Sequence, residues 1–62
     1  MRQSDWPAGR IRTLRDRLGL SREALGERIG VRGATVFRWE RGTNVPLRAS
    51  QKRLDDLAKR AS

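Results

Sequence analysis

Gly30, Gly42 and Pro46 cut the apolar residues of this chain into short packing faces, so its helices must be brief and must turn back on one another. The most tightly specified stretch runs from Leu20 to Gly42 and reads as two short helices joined by a tight turn. Ser21 supplies a hydroxyl to cap the free amides of the first, which continues through Leu25 and Ile29. The second carries Val36 and Trp39 inward and stops at Gly42. Between them, Gly30 allows the left-handed conformation that turns one helix sharply into the next, while Val31 plugs the corner.

The flanking segments supply two further helices. Residues 1–4 have no periodic apolar pattern and read as a loose basic arm. A first helix is expected to start near Asp5 to Pro7, capped by Ser4 or Asp5. Its inner face is Ile11, Leu14 and Leu18, leaving Arg10, Arg12, Asp16 and Arg17 outside. Trp6 reads as a core staple or lid over the start of this helix, the alternative being an exposed indole awaiting a partner. Gly26 disfavours the middle of its helix by about 1 kcal/mol relative to Ala, which a close approach by another helix would offset. Thr43 to Pro46 form a loop. A last helix, from about Leu47 to Ala61, puts Leu47, Leu54, Leu57, Ala58 and Ala61 on one face, the pattern weakening at Ser50 and Gln51, where fraying or less deep packing is expected. The opposite face carries Arg48, Lys52, Asp55, Asp56 and Lys59. The expected architecture is all-α, a compact four-helix single domain over residues 1–62.

A chain of 62 residues builds a core of only a handful of side chains, so a deep substrate pocket is not expected. With no Cys and no His, it has no disulfide framework, zinc finger, or thiol or imidazole catalysis; no cofactor or metal is implied, and the chain does not read as an enzyme. Fifteen Lys and Arg oppose seven Asp and Glu, a formal charge of +8, and 13 of the 15 cations are Arg, whose planar fork suits phosphates and guanine edges. A polyanionic partner follows, nucleic acid before anything else. No apolar run approaches the roughly 20 residues that cross a bilayer, and the N-terminus lacks the apolar core of a signal peptide, giving a cytoplasmic, nucleoid-associated expectation. A basic helix lying on an anionic membrane would keep one long apolar stripe, which these interruptions break.

Several coincident positions then carry a specific resemblance. Leu20-Ser21, Gly30-Val31 and Arg38-Trp39-Glu40-Arg41-Gly42, with Pro46 four residues after the closing glycine, resemble the phage-repressor and Cro type (XRE-like) of helix-turn-helix protein. The run from Ile11 to Leu20 is similar to that family's first helix. The resemblance implies a lambda-repressor-like bundle of four or five helices with a helix-turn-helix over residues 21–41 and a recognition helix, about Gly33 to Arg41, in the major groove. Nothing follows the fourth helix here, which brings the chain nearer to small antitoxins and short phage or plasmid regulators than to large two-domain repressors.

Carried over residue by residue, the resemblance implies that Ser21 and Arg22 hold the start of the second helix against a phosphate, where unpaired amides and the positive end of the helix dipole favour an anion. The alternative for Arg22 is a merely solvated side chain. Base contacts fall to Gly33, Ala34, Phe37 and Arg38, with Thr35 in reach of base or phosphate; Arg38 is the hydrogen-bonding reader, to guanine O6 and N7. Ala34 and Phe37 suit thymine methyl groups, although Phe37 also reads as a contact to a second subunit or another helix. Arg32 stands where the family commonly has a capping Ser or Thr, a loss of about 1 kcal/mol unless another group replaces it, and is assigned to phosphate. Arg41, Thr43 and Asn44 are assigned to the opposite backbone. Glu40 is paired with Arg15 in a partly buried salt bridge that ties the recognition helix to the scaffold. Trp39 is core beneath the turn; base stacking would require it to point the other way.

The expected function is sequence-specific binding of double-stranded DNA by a small, repressor-like transcriptional regulator, as a homodimer on an inverted repeat and with dimerisation on DNA as one route. The alternatives are the DNA-binding antitoxin of a toxin–antitoxin pair, which adds a protein partner, and a recombination or packaging accessory factor.

Overall fold

A computed structural model describes residues 6–61, and the expected capping by Ser4 or Asp5 and the arm over residues 1–4 lie outside them. Four helices follow in order: α1 (Ala8–Leu18), α2 (Arg22–Ile29), α3 (Gly33–Arg41) and α4 (Arg48–Ala61). α3 packs on α2 and α1, and α4 closes the bundle against α1 and α2.

Local chemistry explains most boundaries. Pro7 occupies the N-cap position of α1 without a side-chain cap, and its carbonyl accepts from the amides of Arg10 and Ile11 at 3.0 and 3.2 Å. At α2 the Ser21 hydroxyl accepts from the Ala24 amide at 3.0 Å. That helix stops at Gly30, whose φ of 93° suits a residue without a Cβ. The Gly30 and Val31 amides both donate to the Gly26 carbonyl, at 2.7 and 2.8 Å, closing the turn. The same turn explains Gly26, with a correction: the close approach is made by the turn's own backbone and not by another helix. A Cβ on Gly26 would lie 2.5 Å from the Val31 carbonyl oxygen and 3.1 Å from the Arg32 carbonyl carbon.

The core consists of Trp6, Ile11, Leu14, Leu25, Ile29, Val36, Trp39 and Leu54, with Leu18, Leu20, Val31, Leu57, Ala58 and Ala61 partly buried against it. Trp6 is buried and its Nε1 donates to Asp55 Oδ1 at 2.8 Å, so the indole fastens the start of α1 to α4. Arg10 lies over its ring at 3.8 Å. Asp55, expected on a purely solvent-facing surface, is thereby part of the packing.

α4 departs from expectation at its beginning. Leu47 is 77% exposed and stands outside the helix, where its carbonyl accepts from the Gln51 amide at 2.9 Å; Pro46 is buried in its place. At Ser50 and Gln51 the helix does not fray, and it is less deeply packed there than at Leu54. Both are half-buried, and the Gln51 amide nitrogen donates to the Pro46 carbonyl at 2.9 Å, tying the incoming loop to the first turn. Farther along, Arg53 Nη1 donates to the Ile29 carbonyl at 3.2 Å, giving the open end of α2 a charged cap from a different helix.

Candidate nucleic-acid interface

Two helix ends and one helix face make up the site. α3 buries Val36 and Trp39, which fixes the opposite side of the same helix outward: Ala34, Phe37, Arg38 and Arg41 are exposed, and Thr35 is half-buried. Arg32, Ser21, Thr43 and Asn44 are exposed as well, and Arg22 is half-buried.

Gly33 has a reason internal to the fold. A Cβ there would meet Glu23 Cγ at 3.0 Å and Glu23 Cδ and backbone nitrogen at 3.1 Å, so the first residue of α3 is pressed against the first turn of α2. Glu23 itself adds a negative charge beside the amides at the start of α2, which works against an anion there while Arg22 works for one. The α3 N-terminus has no side-chain cap. The Arg32 carbonyl accepts from Thr35 and Val36 at 3.0 and 3.2 Å, but its guanidinium caps nothing.

Glu40 anchors α3 to the rest. Arg15 Nε donates to its Oε2 at 2.6 Å and Arg15 Nη2 to its Oε1 at 3.2 Å, a two-pronged bridge from α1. Arg15 Nη1 also donates to the Leu20 carbonyl at 3.1 Å, holding the connection between α1 and α2. The Glu40 side chain is 4% exposed. Burial pushes its carboxyl up, but the hydrogen bond and charge of Arg15, followed by those of Arg22, outweigh this and hold it below the ordinary glutamate value. The hydrogen bond to Glu40 correspondingly raises the Arg15 guanidinium, against burial that lowers it.

Arg22 is a member of this cluster that sequence reasoning missed. Its Nε donates to Glu40 Oε1 at 3.2 Å, and its guanidinium lies over the Phe37 ring, 5.1 Å from the centroid. No spacing along the chain pairs residue 22 with residue 40; the packing of α2 on α3 does. The Glu40 contact engages Nε of Arg22, and 42% of the Arg22 side chain is exposed. Arg41 approaches the same ring from one turn further along α3, at 5.5 Å.

Among the described residues no group of His, Cys, Asp and Glu could hold a metal ion, and no helix is long and apolar enough to cross a membrane. The surface depressions are open; one of about 210 Å³ between α2 and α4 is lined by Arg28, Arg53, Asp56, Leu57 and Arg60.

A short turn between two helices, the second presenting an arginine-bearing face and pinned from behind by a buried carboxylate, defines a helix-turn-helix DNA-binding domain. A profile of the helix-turn-helix family matches residues 11–60, and the chain belongs to that family, in its phage-repressor and Cro branch. No curated protein and no solved structure matches the chain significantly.

Proposed function

We propose that this protein is a sequence-specific, repressor-like transcriptional regulator, with α3 in the major groove of double-stranded DNA. The observation that carries the reading is the two-sidedness of α3. Its inner side is held by Val36, Trp39 and the Arg15–Glu40 bridge, while Ala34, Phe37 and Arg38 form an outer side that the fold does not use for its core. Arg38 reads a guanine, with Ala34, Phe37, Thr35 and the backbone at Gly33 close to neighbouring base edges. Ser21, Arg22 and Arg32 hold one phosphate backbone, and Arg41, Thr43 and Asn44 the other.

The described residues span 32 × 24 × 19 Å, so one copy extends over no more than about one helical turn of B-DNA, roughly 34 Å. Useful specificity therefore calls for two copies on an inverted repeat. An antitoxin's protein contact would use exposed apolar surface around Trp6 or on α4; Trp6 is 1% exposed, whereas Val45 and Leu47, just before α4, are 63% and 77% exposed, so co-purification with a protein partner is the test of that second reading.

Selection of bound duplexes from a random pool, followed by Arg38→Ala, tests the reading. A pseudo-palindromic consensus is expected, and the variant should lose about 1 to 3 kcal/mol, mainly at one base pair per half-site. An equal loss on every sequence would remove Arg38 from the reading role.

A further inference from the structure

Among the described residues, Phe37 is the large apolar side chain that α3 leaves exposed, at 40%. Its ring is not loose. The Arg22 guanidinium from α2 lies over it at 5.1 Å and the Arg41 guanidinium at 5.5 Å, and Arg22 is itself fixed through Nε to Glu40 at 3.2 Å. The ring is thus held from two helices before any partner arrives.

The chemistry of the ring and its neighbours narrows what that partner is. A second protein surface closing over Phe37 would also desolvate two guanidinium ions, an unfavourable exchange unless each found a carboxylate. Duplex DNA offers phosphates and guanine acceptors for both cations. On DNA, a phenyl ring has no donor or acceptor with which to read a polar base edge. The apolar group that the major groove presents is the C5 methyl of a pyrimidine.

We propose that Phe37 reads a C5-methylated pyrimidine, thymine or 5-methylcytosine, beside the base pair contacted by Arg38, and that Arg22 is a positioning residue that holds the ring for this contact. The assignment rests on α3 occupying the major groove as proposed above. Burial of one methyl corresponds to about a fourfold change in affinity per half-site.

The test uses the duplex obtained by selection, the full chain, and fluorescence anisotropy at fixed salt. Each thymine is replaced singly by deoxyuridine, which removes only the methyl, and in a parallel series each cytosine is replaced by 5-methylcytosine. One position per half-site, next to the guanine identified with Arg38→Ala, is expected to lose about fourfold on demethylation or gain about fourfold on methylation. The series that responds tells which base supplies the methyl. Phe37→Ala, whose helicity by circular dichroism should be unchanged because the ring lies outside the core, is expected to abolish that response. Arg22→Lys, which keeps the charge, should weaken the methyl response while leaving the salt dependence in place; a residue serving only stability would not alter it. A site indifferent to every methyl overturns this assignment alone. So does a response that persists in Phe37→Ala, or a Phe37→Ala protein that loses self-association with its methyl response intact. Failure to enrich any duplex overturns the DNA-reading proposal and this one with it.

Discussion

Replacing Glu40 by Gln keeps the side chain's shape, removes one charge and turns an amide nitrogen toward guanidinium donors. Glu40 accepts three hydrogen bonds, from Arg15 at 2.6 and 3.2 Å and from Arg22 at 3.2 Å. The Gln nitrogen cannot accept, so one of the two Arg15 bonds is lost outright; a hydrogen bond to a charged group contributes about 1.5 to 3 kcal/mol, and with the Arg15 side chain only 15% exposed the loss there is about 2 kcal/mol. The Arg22 bond weakens less, by about 0.3 kcal/mol, because a side chain that is 42% exposed is screened as surface pairs are. An amide is also easier to bury than a carboxylate, which offsets part of the loss and leaves about 2 kcal/mol. A 62-residue domain has only about 3 to 9 kcal/mol of stability in total. The variant should therefore melt about 8 to 16 °C lower. Urea unfolding at pH 7, followed by far-ultraviolet circular dichroism and by the fluorescence of the buried Trp6 and Trp39, measures the difference.

Acidification supplies a second, independent reading of the same substitution. The folded carboxyl of Glu40 sits below its ordinary value, so its contribution is complete above the unfolded glutamate range, about 4.3, and is lost as pH falls through the folded value. Glu40→Gln lacks that contribution at every pH. The gap between the two proteins should accordingly narrow below about pH 4. A loss smaller than about 0.5 kcal/mol at pH 7, within the range of an ordinary surface substitution, would refute the anchoring role of Glu40. So would a gap that stays constant on acidification.

Gly26→Ala should destabilise the fold by about 2 kcal/mol, since its Cβ would be forced to 2.5 Å from the Val31 carbonyl oxygen, a backbone atom held in the turn; an unchanged urea midpoint would mean that the turn shifts freely. Arg22→Ala should weaken binding to every duplex sequence and lower the slope of log affinity against log salt by about one, and an unchanged slope would remove Arg22 from the phosphate contacts.

What was legible in the sequence is what neighbouring residues decide together. Ser21, Gly30 and Gly42 delimit α2 and α3 because caps and left-handed turns act within a few residues, and the inner faces of α1 to α3 follow from helical spacing. The Arg15–Glu40 bridge was accessible through resemblance, since no local pattern joins residues 25 apart. Leu47 was misplaced because helical spacing counts it onto the α4 face, whereas the helix starts one residue later and the adjacent Pro46 is buried instead. The Trp6–Asp55, Arg22–Glu40 and Arg53–Ile29 bonds were invisible for one shared reason. Each joins groups at least 18 residues apart that only the packing of the helices brings together, and one partner of each, Asp55, Arg22 or Arg53, looks along the chain like an ordinary surface group.

The two ends of α3 differ in a way that bears on its motion. At its last turn Glu40 is tied to α1 and α2, and the Gly42 and Thr43 amides close onto Trp39 and Arg38 at 3.1 and 3.0 Å. At its first turn no side chain caps the helix, and Gly33 and Ala34 begin it with amides that precede the first intrahelical bond, made by Thr35. Hydrogen exchange should therefore run as a gradient along a single nine-residue helix, fastest at Gly33 and Ala34 and slowest toward Trp39. With α3 in the major groove as proposed, the weakly held end is the one set against the bases, so bound DNA should slow exchange there far more than at the anchored end.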